Sequence, residues 1–487
     1  MSPDLHTTPP DTGFPTSLFL DIDHSPGARI RSQLEEALRR EIQEGRLRAG
    51  TKLPPTRTLA RELGISRSVV VEVYGQLAAD GFIEAVQGAG TRVRALAPPA
   101  AQELRSVTRR PLSTAFATGL PDPAYFPQRE WLRAYGSVFS GSSSQPLGCP
   151  DPRGRIELRT TLAGYLSRVR GLRTSSSQLL ICNGVSQVLA VVARALLTRG
   201  SSRIGVEDPC FAPHRRLLAS CGMQPVPIPV DRQGLVVEKL RQAGVDAVLV
   251  GPAHSYPSGA VLSGRRRREL VAWASEHDAL IIEDDSDAEF RFERTPVGAL
   301  QSLAPENVVY AGSVSKVLDP ALQIGWVSSP QRLVPDLLGA KVIADDATAT
   351  FGQLALARFV EEGGFARHIR RVRPRYRARR DRLLGELRAQ APELRPQGSE
   401  VGLHLFVPLP ADVREADVIA AAKQDGLHVE GAAHHWADPD AGVPAVLIGY
   451  GTLNESTVER DVRTLVAAML ELHRSRLPAP LQDLTAA

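Results

Sequence analysis

The stretch Asn307–Trp326, NVVYAGSVSKVLDPALQIGW, decides the fold. Its opening, Val308–Gly312, is a short, continuous apolar run, the pattern of a strand buried on both faces. Lys316 follows directly, and so lies beyond the carboxyl end of that strand, the edge where α/β sheets place their ligands. It is one of five lysines (Lys52, Lys239, Lys316, Lys341 and Lys423) among 58 basic residues; the other 53 are arginine. Where arginine serves nearly every cation, a surviving lysine marks a place that needs an amine. Held in a packed pocket, an amine can form a Schiff base with an aldehyde.

Working outward, similar runs recur: QLLICNG (178–184), SRIGVEDP (202–209), DAVLVGP (246–252), ALIIEDD (279–285) and QIGWVSS (323–329). Amphipathic segments such as Ser186–Thr198 and Arg265–Glu276 lie between them. Apolar strands separated by helices predict a mostly parallel sheet covered on both faces. Asp284 ends one strand and can pair with a pyridinium nitrogen. CNGVSQVL turns from a strand through Gly184 into a helix at Val185 and Ser186, whose free N–H groups suit an anion. Ser313 adds a hydroxyl. Each piece alone is common. Together, at successive strand ends, they form the signature of a pyridoxal phosphate site. Beyond about residue 335 the chain changes to long Arg-rich helices followed by GLHLFVPL and AVLIGYG, a smaller α+β subdomain.

The first hundred residues read differently. Ile30, Leu34, Leu38 and Ile42 form one face of a helix. Thr56–Leu63 makes a second, Gly64 the turn, and Ser66 caps a third whose inner face is Val69, Val70, Val73, Tyr74 and Leu77. Phe82–Val86 and Thr91–Arg94 predict a β-hairpin wing. Arg57, Arg61, Arg67, Ser68 and Arg92 sit where a recognition helix and wing meet phosphates and bases. Gly27–Arg94 carries 12 basic and 8 acidic residues, an excess equal to the net +4 of the whole chain. That suits a polyanionic partner.

The remaining composition excludes several classes. At 43% apolar and 23% charged residues the chain is globular rather than disordered. No run reaches the length of a membrane helix, and Met1–Phe19 lacks the form of a signal peptide. Cys149, Cys182, Cys210 and Cys221 fall in no metal or disulfide pattern and read as free thiols in the cytoplasm. His434 and His435 with Asp438 and Asp440 match no zinc spacing, and GAAHHWADPDAG reads as a surface loop; no metal is expected. RHIRRVRPRYRARRDR (367–382) has a partial apolar face (Ile369, Val372, Tyr376, Leu383) and reads as a solvated helix side or dimer surface. GRRRREL reads as a similar charged helix start.

LPPTRTLARELGISRSVVVEVYGQLAADGFIEAVQGAGTRV resembles the winged helix of GntR-type bacterial regulators. LGCPDPRGRIELRTTLAGYL, VEDPCF, GPAHSYPSG, IIEDDSDAEFRF and SVSKVLDPALQIGW resemble fold-type I aminotransferases in their order. From about residue 28 to 470 the whole is similar to the MocR/GabR regulators, which fuse the two. The resemblance implies DNA contacts at Arg57, Arg67, Ser68, Gly90 and Thr91. It implies Lys316 as Schiff-base lysine, Asp284 as pyridinium partner, Phe211 as the stacking ring, phosphate contacts at Val185, Ser186 and Ser313, and Tyr256 as a further cofactor position.

Against that family pattern, Gln323 stands for the phosphate-binding Arg, Ser286 for the Tyr on the ring's phenolic oxygen, and Cys149 for a Tyr expected to reach a partner subunit's phosphate. Leu447 stands for the Arg that grips a substrate carboxylate, with Arg153 or Arg215 as possible substitutes. The expected organisation is a flexible N-terminus (1–26), a winged helix-turn-helix domain (27–94), a linker (95–114), a large aminotransferase-like domain (115–335), a small subdomain (336–475) and a tail (476–487). The expected function is that of a cytoplasmic, homodimeric regulator of operator DNA, sensing pyridoxal phosphate or another small effector, with no catalytic turnover expected. The alternatives are a pyridoxal phosphate-dependent aminotransferase with an accessory DNA-binding domain, and a cofactor-free regulator that keeps the old enzyme domain as a scaffold.

Overall fold

The computed structural model describes residues 22–25, 28–86, 90–94, 116–140, 150–292, 298–398 and 400–474. The segment expected as a linker, Cys149 and the tail lie outside them. The chain divides into two compact units, 1–110 and 111–487.

In the first unit, α1 (Ile30–Gln43), α2 (Thr56–Glu62) and α3 (Arg67–Ala79) precede a hairpin of β1 (Ile83–Val86) and β2 (Gly90–Val93). Ser66 caps α3 as its sequence predicts, accepting from the Val69 N–H. Leu34, Leu38, Leu59, Val70, Val73 and Leu77 pack into one core with Ile83 and Val93 of the hairpin. The segment before α2 does more than break a helix. Gly50 and Leu53 donate to Val93 and Thr91, and Val93 donates back to Thr51, so 50–53 forms an outer rail for the wing.

The second unit opens with α4 (Gln128–Ser140) and α5 (Ile156–Arg170). There follow β3 (Leu179–Cys182), α6 (Gly184–Thr198), β4 (Arg203–Asp208), α7 (Ala212–Ser220), β5 (Gln224–Asp231), β6 (Gly234–Leu235), α8 (Val237–Gln242), β7 (Ala247–Val250), α9 (Gly264–Glu276), β8 (Leu280–Asp284), β9 (Val308–Ser313) and β10 (Gly325–Ser328). The sheet order is β3-β10-β9-β8-β7-β4-β5-β6. Pairing is parallel from β5 through β4, β7 and β8 to β9, while β10 runs antiparallel to both β9 and β3. Strands β3, β4, β7, β8 and β9 therefore end on the same edge. β5 carries Pro225, Pro227 and Pro229, which hide it from a strand pattern. Near the edge of a sheet, alternate prolines are tolerated because one side of the strand needs no donors.

Beyond the sheet lie α10 (Val334–Asp345), α11 (Thr350–Glu361) and α12 (Gly364–Gln390). A three-stranded antiparallel sheet of β11 (His404–Pro408), β12 (Glu430–Gly431) and β13 (Ala445–Gly449) follows, with α13 (Glu415–Gln424) and α14 (Val458–Arg474). The apolar face of α12, Ile369, Val372, Tyr376 and Leu383, is buried in the core of this unit rather than left as a dimer surface. The start of α9 is not a solvated charged face. Arg266 binds Asp231 at 2.6 Å and Arg267 donates to the Gly298 carbonyl, both buried. Cys182, Cys210 and Cys221 are free thiols.

Candidate functional site

On the first unit, Arg57, Arg61, Arg67 and Ser68 are exposed along α2 and the start of α3, and Gly90 is exposed on the wing; Thr91 is half-buried. Arg92 differs from the rest, because its guanidinium donates to the Gly50 carbonyl at 2.7 Å and braces the wing against its outer rail.

In the second unit, the carboxyl-edge loops of β3, β4, β7, β8 and β9 surround a cavity of about 400 Å³. Val185, Ser186, Phe211, Tyr256, Asp284, Ser313 and Lys316 all line it, so every residue expected around a cofactor faces one space. Phe211 is 37% exposed there and meets Tyr256 edge-on at 5.3 Å between ring centroids. Ser286 stands where a Tyr was expected and turns to Asp284, its hydroxyl donating at 2.5 Å. His214 approaches the other Asp284 oxygen at 3.7 Å, and its burial holds its imidazole below the usual range.

The amine end contains residues that the sequence reading did not single out. Lys316 Nζ donates to Asp287 Oδ2 at 2.5 Å, and His254 Nδ1 meets the same oxygen at 3.2 Å. Burial raises the Asp287 carboxyl, but Lys316 and His254 more than offset it and hold it well below the carboxylate range. His404, edge-on to His254 at 5.1 Å, is pushed by burial down to about 3 and is therefore a neutral neighbour. Glu207, on the cavity wall, accepts from the Gly251 N–H at 3.1 Å, and burial pushes its carboxyl up to about 7. The signals available for these residues were faint: His254 lies in the quoted GPAHSYPSG, and Asp287 follows Asp284 in the same loop.

His435 lies outside the expected surface-loop reading. It is fully buried, against Phe211 and Tyr256. It reaches Glu430 Oε1 at 3.2 Å, and Glu430 Oε2 accepts from Thr118 at 2.6 Å and from Tyr256 at 3.4 Å. Burial raises the Glu430 carboxyl, but the His435 and Thr118 bonds override it and hold it at about 2. Glu430, His434 and His435 offer atoms within 4.8 Å of one another. His435 Nδ1 accepts from the Ala212 N–H at 3.1 Å and also lies 3.2 Å from the Cys210 carbonyl oxygen.

The replaced family positions have clear settings. Gln323 donates its amide N–H to the Pro320 carbonyl at 2.8 Å and points its oxygen toward Gly184. Leu447 is fully buried in a cluster with Phe406, Ala432 and Ala445. Arg153 is paired with Asp151 at 2.8 Å, and Arg215 is spent on the carbonyls of His434, His435 and Trp436. Neither reaches the cavity.

A helix-turn-helix with a β-wing, joined in one chain to a mostly parallel sheet that gathers a lysine and an aspartate at its carboxyl edge, defines a DNA-binding protein with an aminotransferase-type second unit. Residues 30–93 match the gntR family of bacterial regulatory proteins, and residues 122–432 match aminotransferase class I and II. The chain is 32% identical to the HTH-type pyridoxine biosynthesis transcriptional regulator PdxR of Corynebacterium glutamicum, over 89% of this chain and 94% of that one. It is 30% identical to the probable rhizopine catabolism regulatory protein MocR of Rhizobium meliloti, over 96% and 99%. Among solved structures it is similar to the multiple substrate aminotransferase of Thermococcus profundus (TM-score 0.69, 25% identity, 78% of this chain and 97% of that one). The kynurenine aminotransferase of Pyrococcus horikoshii gives a TM-score of 0.67 at 25% identity, over 73% and 90%. The chain belongs to the MocR/PdxR-type HTH transcriptional regulators, which join a GntR-family domain to an aminotransferase-like domain. It is a DNA-binding regulator rather than an aminotransferase with an accessory domain. No described helix is long and apolar enough to cross a membrane.

Proposed function

We propose that the aminotransferase-like unit binds pyridoxal 5′-phosphate at Lys316 and reports the state of that cavity to the DNA-binding unit. One observation carries this reading: Lys316 and Asp284, at the ends of the adjacent strands β9 and β8, face the same cavity as the open first turn of α6. The donor set fits the group. Asp284 suits a protonated ring nitrogen, Phe211 and Tyr256 offer aromatic surface, and the N–H groups of Val185 and Ser186 with the Ser313 hydroxyl suit a phosphate. When bound, pyridoxal phosphate supplies an aldehyde for an amine and an electron-accepting ring. Asp287 and His254 orient the amine that meets it.

The phosphate grip is weaker than an arginine would make it, because Gln323 adds no charge. Leu447 leaves no clamp for a substrate carboxylate, which favours a sensing role and an amine effector over turnover. The name of PdxR, a pyridoxine biosynthesis regulator, supports a B6 aldehyde as ligand. Arg57, Arg61, Arg67, Ser68, Gly90, Thr91 and Arg92 contact operator DNA, and two copies act as a homodimer in the cytoplasm.

The test is a gel shift on DNA from upstream of the protein's own gene, with and without pyridoxal phosphate, alongside absorbance spectra. Binding is expected to change with the cofactor, and a visible band is expected that Lys316→Ala removes. A shift indifferent to the cofactor, with identical spectra for parent and Lys316→Ala, overturns the reading.

A further inference from the structure

The phosphate end of the cavity holds an asparagine that does not cap its own helix. Asparagine is among the preferred N-cap residues, because its side-chain oxygen accepts N–H groups of the first turn. Asn183 occupies the N-cap of α6, yet its side chain makes no capping bond. Its amide is held elsewhere: Nδ2 donates to Asp345 Oδ2 at 3.2 Å. Asp345 ends α10 and accepts from Lys341 Nζ at 2.8 and 3.0 Å. Lys341 is fully buried and donates a third bond to Thr348 Oγ1 at 3.0 Å; Thr348 in turn donates to the Ile181 carbonyl of β3 at 3.2 Å. The Asn183 backbone N–H is taken by Gln187 Oε1 at 2.7 Å. A chain of bonds thus runs from the strand that leads into α6, through α10, back to the residue that starts the helix.

The first-turn N–H groups of a helix have no intrahelical partner. At α6 the residues that carry them, Val185 and Ser186, line the cavity. A capping asparagine and a bound phosphate would compete for them. We infer that the Lys341–Asp345 pair is a positioning device that holds Asn183 away from its capping conformation and so keeps the first turn of α6 open to a phosphate. An ammonium suits the place. Its three donors meet three acceptors, the two oxygens of Asp345 and the Thr348 hydroxyl, with the side chain fully buried. After Lys316, this is a second position where a chain rich in arginine retains an amine for a reason.

The inference rests on reading the cavity as a pyridoxal phosphate site, and two probes separate it from that reading. The full chain is titrated by absorbance with pyridoxal 5′-phosphate and, separately, with pyridoxal, which lacks the phosphate. Asp345→Asn leaves one oxygen where Lys341 and Asn183 used two and sets an N–H donor beside them, so the hold on Asn183 loosens. Its Kd for pyridoxal phosphate is expected to rise about fivefold, the advantage of an asparagine cap over alanine, while its Kd for pyridoxal stays at the parent value. Asn183→Ala alone leaves both constants at parent values, and adding Asn183→Ala to Asp345→Asn restores pyridoxal phosphate affinity. The device is overturned by an unchanged Kd in Asp345→Asn, by an equal loss for both probes, or by a loss that persists in the double variant. Asn183→Ala, at an exposed position, tests it even where Asp345→Asn does not fold, because a selective loss there also overturns it. A parent chain that captures neither probe overturns the cofactor reading, and the device with it.

Discussion

The two units carry their proposed functional residues in opposite ways. On the winged helix, Arg57, Arg61, Arg67 and Ser68 stand exposed on a core they take no part in. In the cavity, Lys316 is tied to Asp287, Asp287 to His254, and Tyr256 to Glu430, mostly out of water. A phosphate backbone is met at the surface, so its contacts add little to the fold. A small molecule is met inside, where every charge needs a partner whether or not the ligand is present. Function and stability should therefore separate in the first unit and travel together in the second.

Lys316→Ala tests this most severely. It is expected to abolish the visible band of added pyridoxal phosphate and also to destabilise the unit by about 3 kcal/mol in chemical denaturation, because Asp287 loses its buried counter-ion. An unchanged denaturation midpoint would break the comparison.

Glu207→Gln comes next. The buried carboxyl titrates near 7 in the folded chain and near 4.5 when exposed. A raised carboxyl binds its proton more tightly in the folded state. Its share of stability is therefore full below pH 4.5 and is lost as the pH climbs to 7. The amide does not titrate, so the variant should gain on its parent by about 3 kcal/mol across that window. A constant difference between parent and variant from pH 4.5 to 7.5 would contradict it.

Arg67→Ala should weaken operator binding by about tenfold in a gel shift while leaving thermal stability within about 0.5 kcal/mol of the parent. Arg92→Ala sharpens the contrast at the smallest scale. Its side-chain bond to the Gly50 carbonyl makes it a predicted DNA contact that also braces structure, so it should lower both operator affinity and the stability of the first unit, the latter by about 1 kcal/mol.

The same contrast governs what was legible in the sequence. Lys316, Asp284 and Ser313 could be read because each ends or follows an apolar run, and position relative to a strand is local information. The helices of the first unit were legible because Leu34, Leu38, Val70 and Val73 repeat at helical spacing. Asp287 and His254 were missed because their meaning lies in a shared oxygen atom that only the folded chain brings together. Glu430 and His435 come from a distant segment, and the loop around them has the composition of a surface turn. β5 was missed because its prolines break the strand pattern, and only its place in the sheet explains them.

Those prolines have a consequence of their own. Residues 225, 227 and 229 alternate along β5, and alternate backbone N–H groups point to the same side of a strand. Pairing with β4 needs donors, so the prolines face the other way, and the stretch of β5 that the two-residue β6 does not cover presents almost no N–H to a newcomer on that side. Exposed strand edges are where proteins zip together into aggregates. A polypeptide emerging from the ribosome with this sheet half assembled is thus guarded on that flank from the start: it can misfold, but it cannot easily recruit a neighbour there.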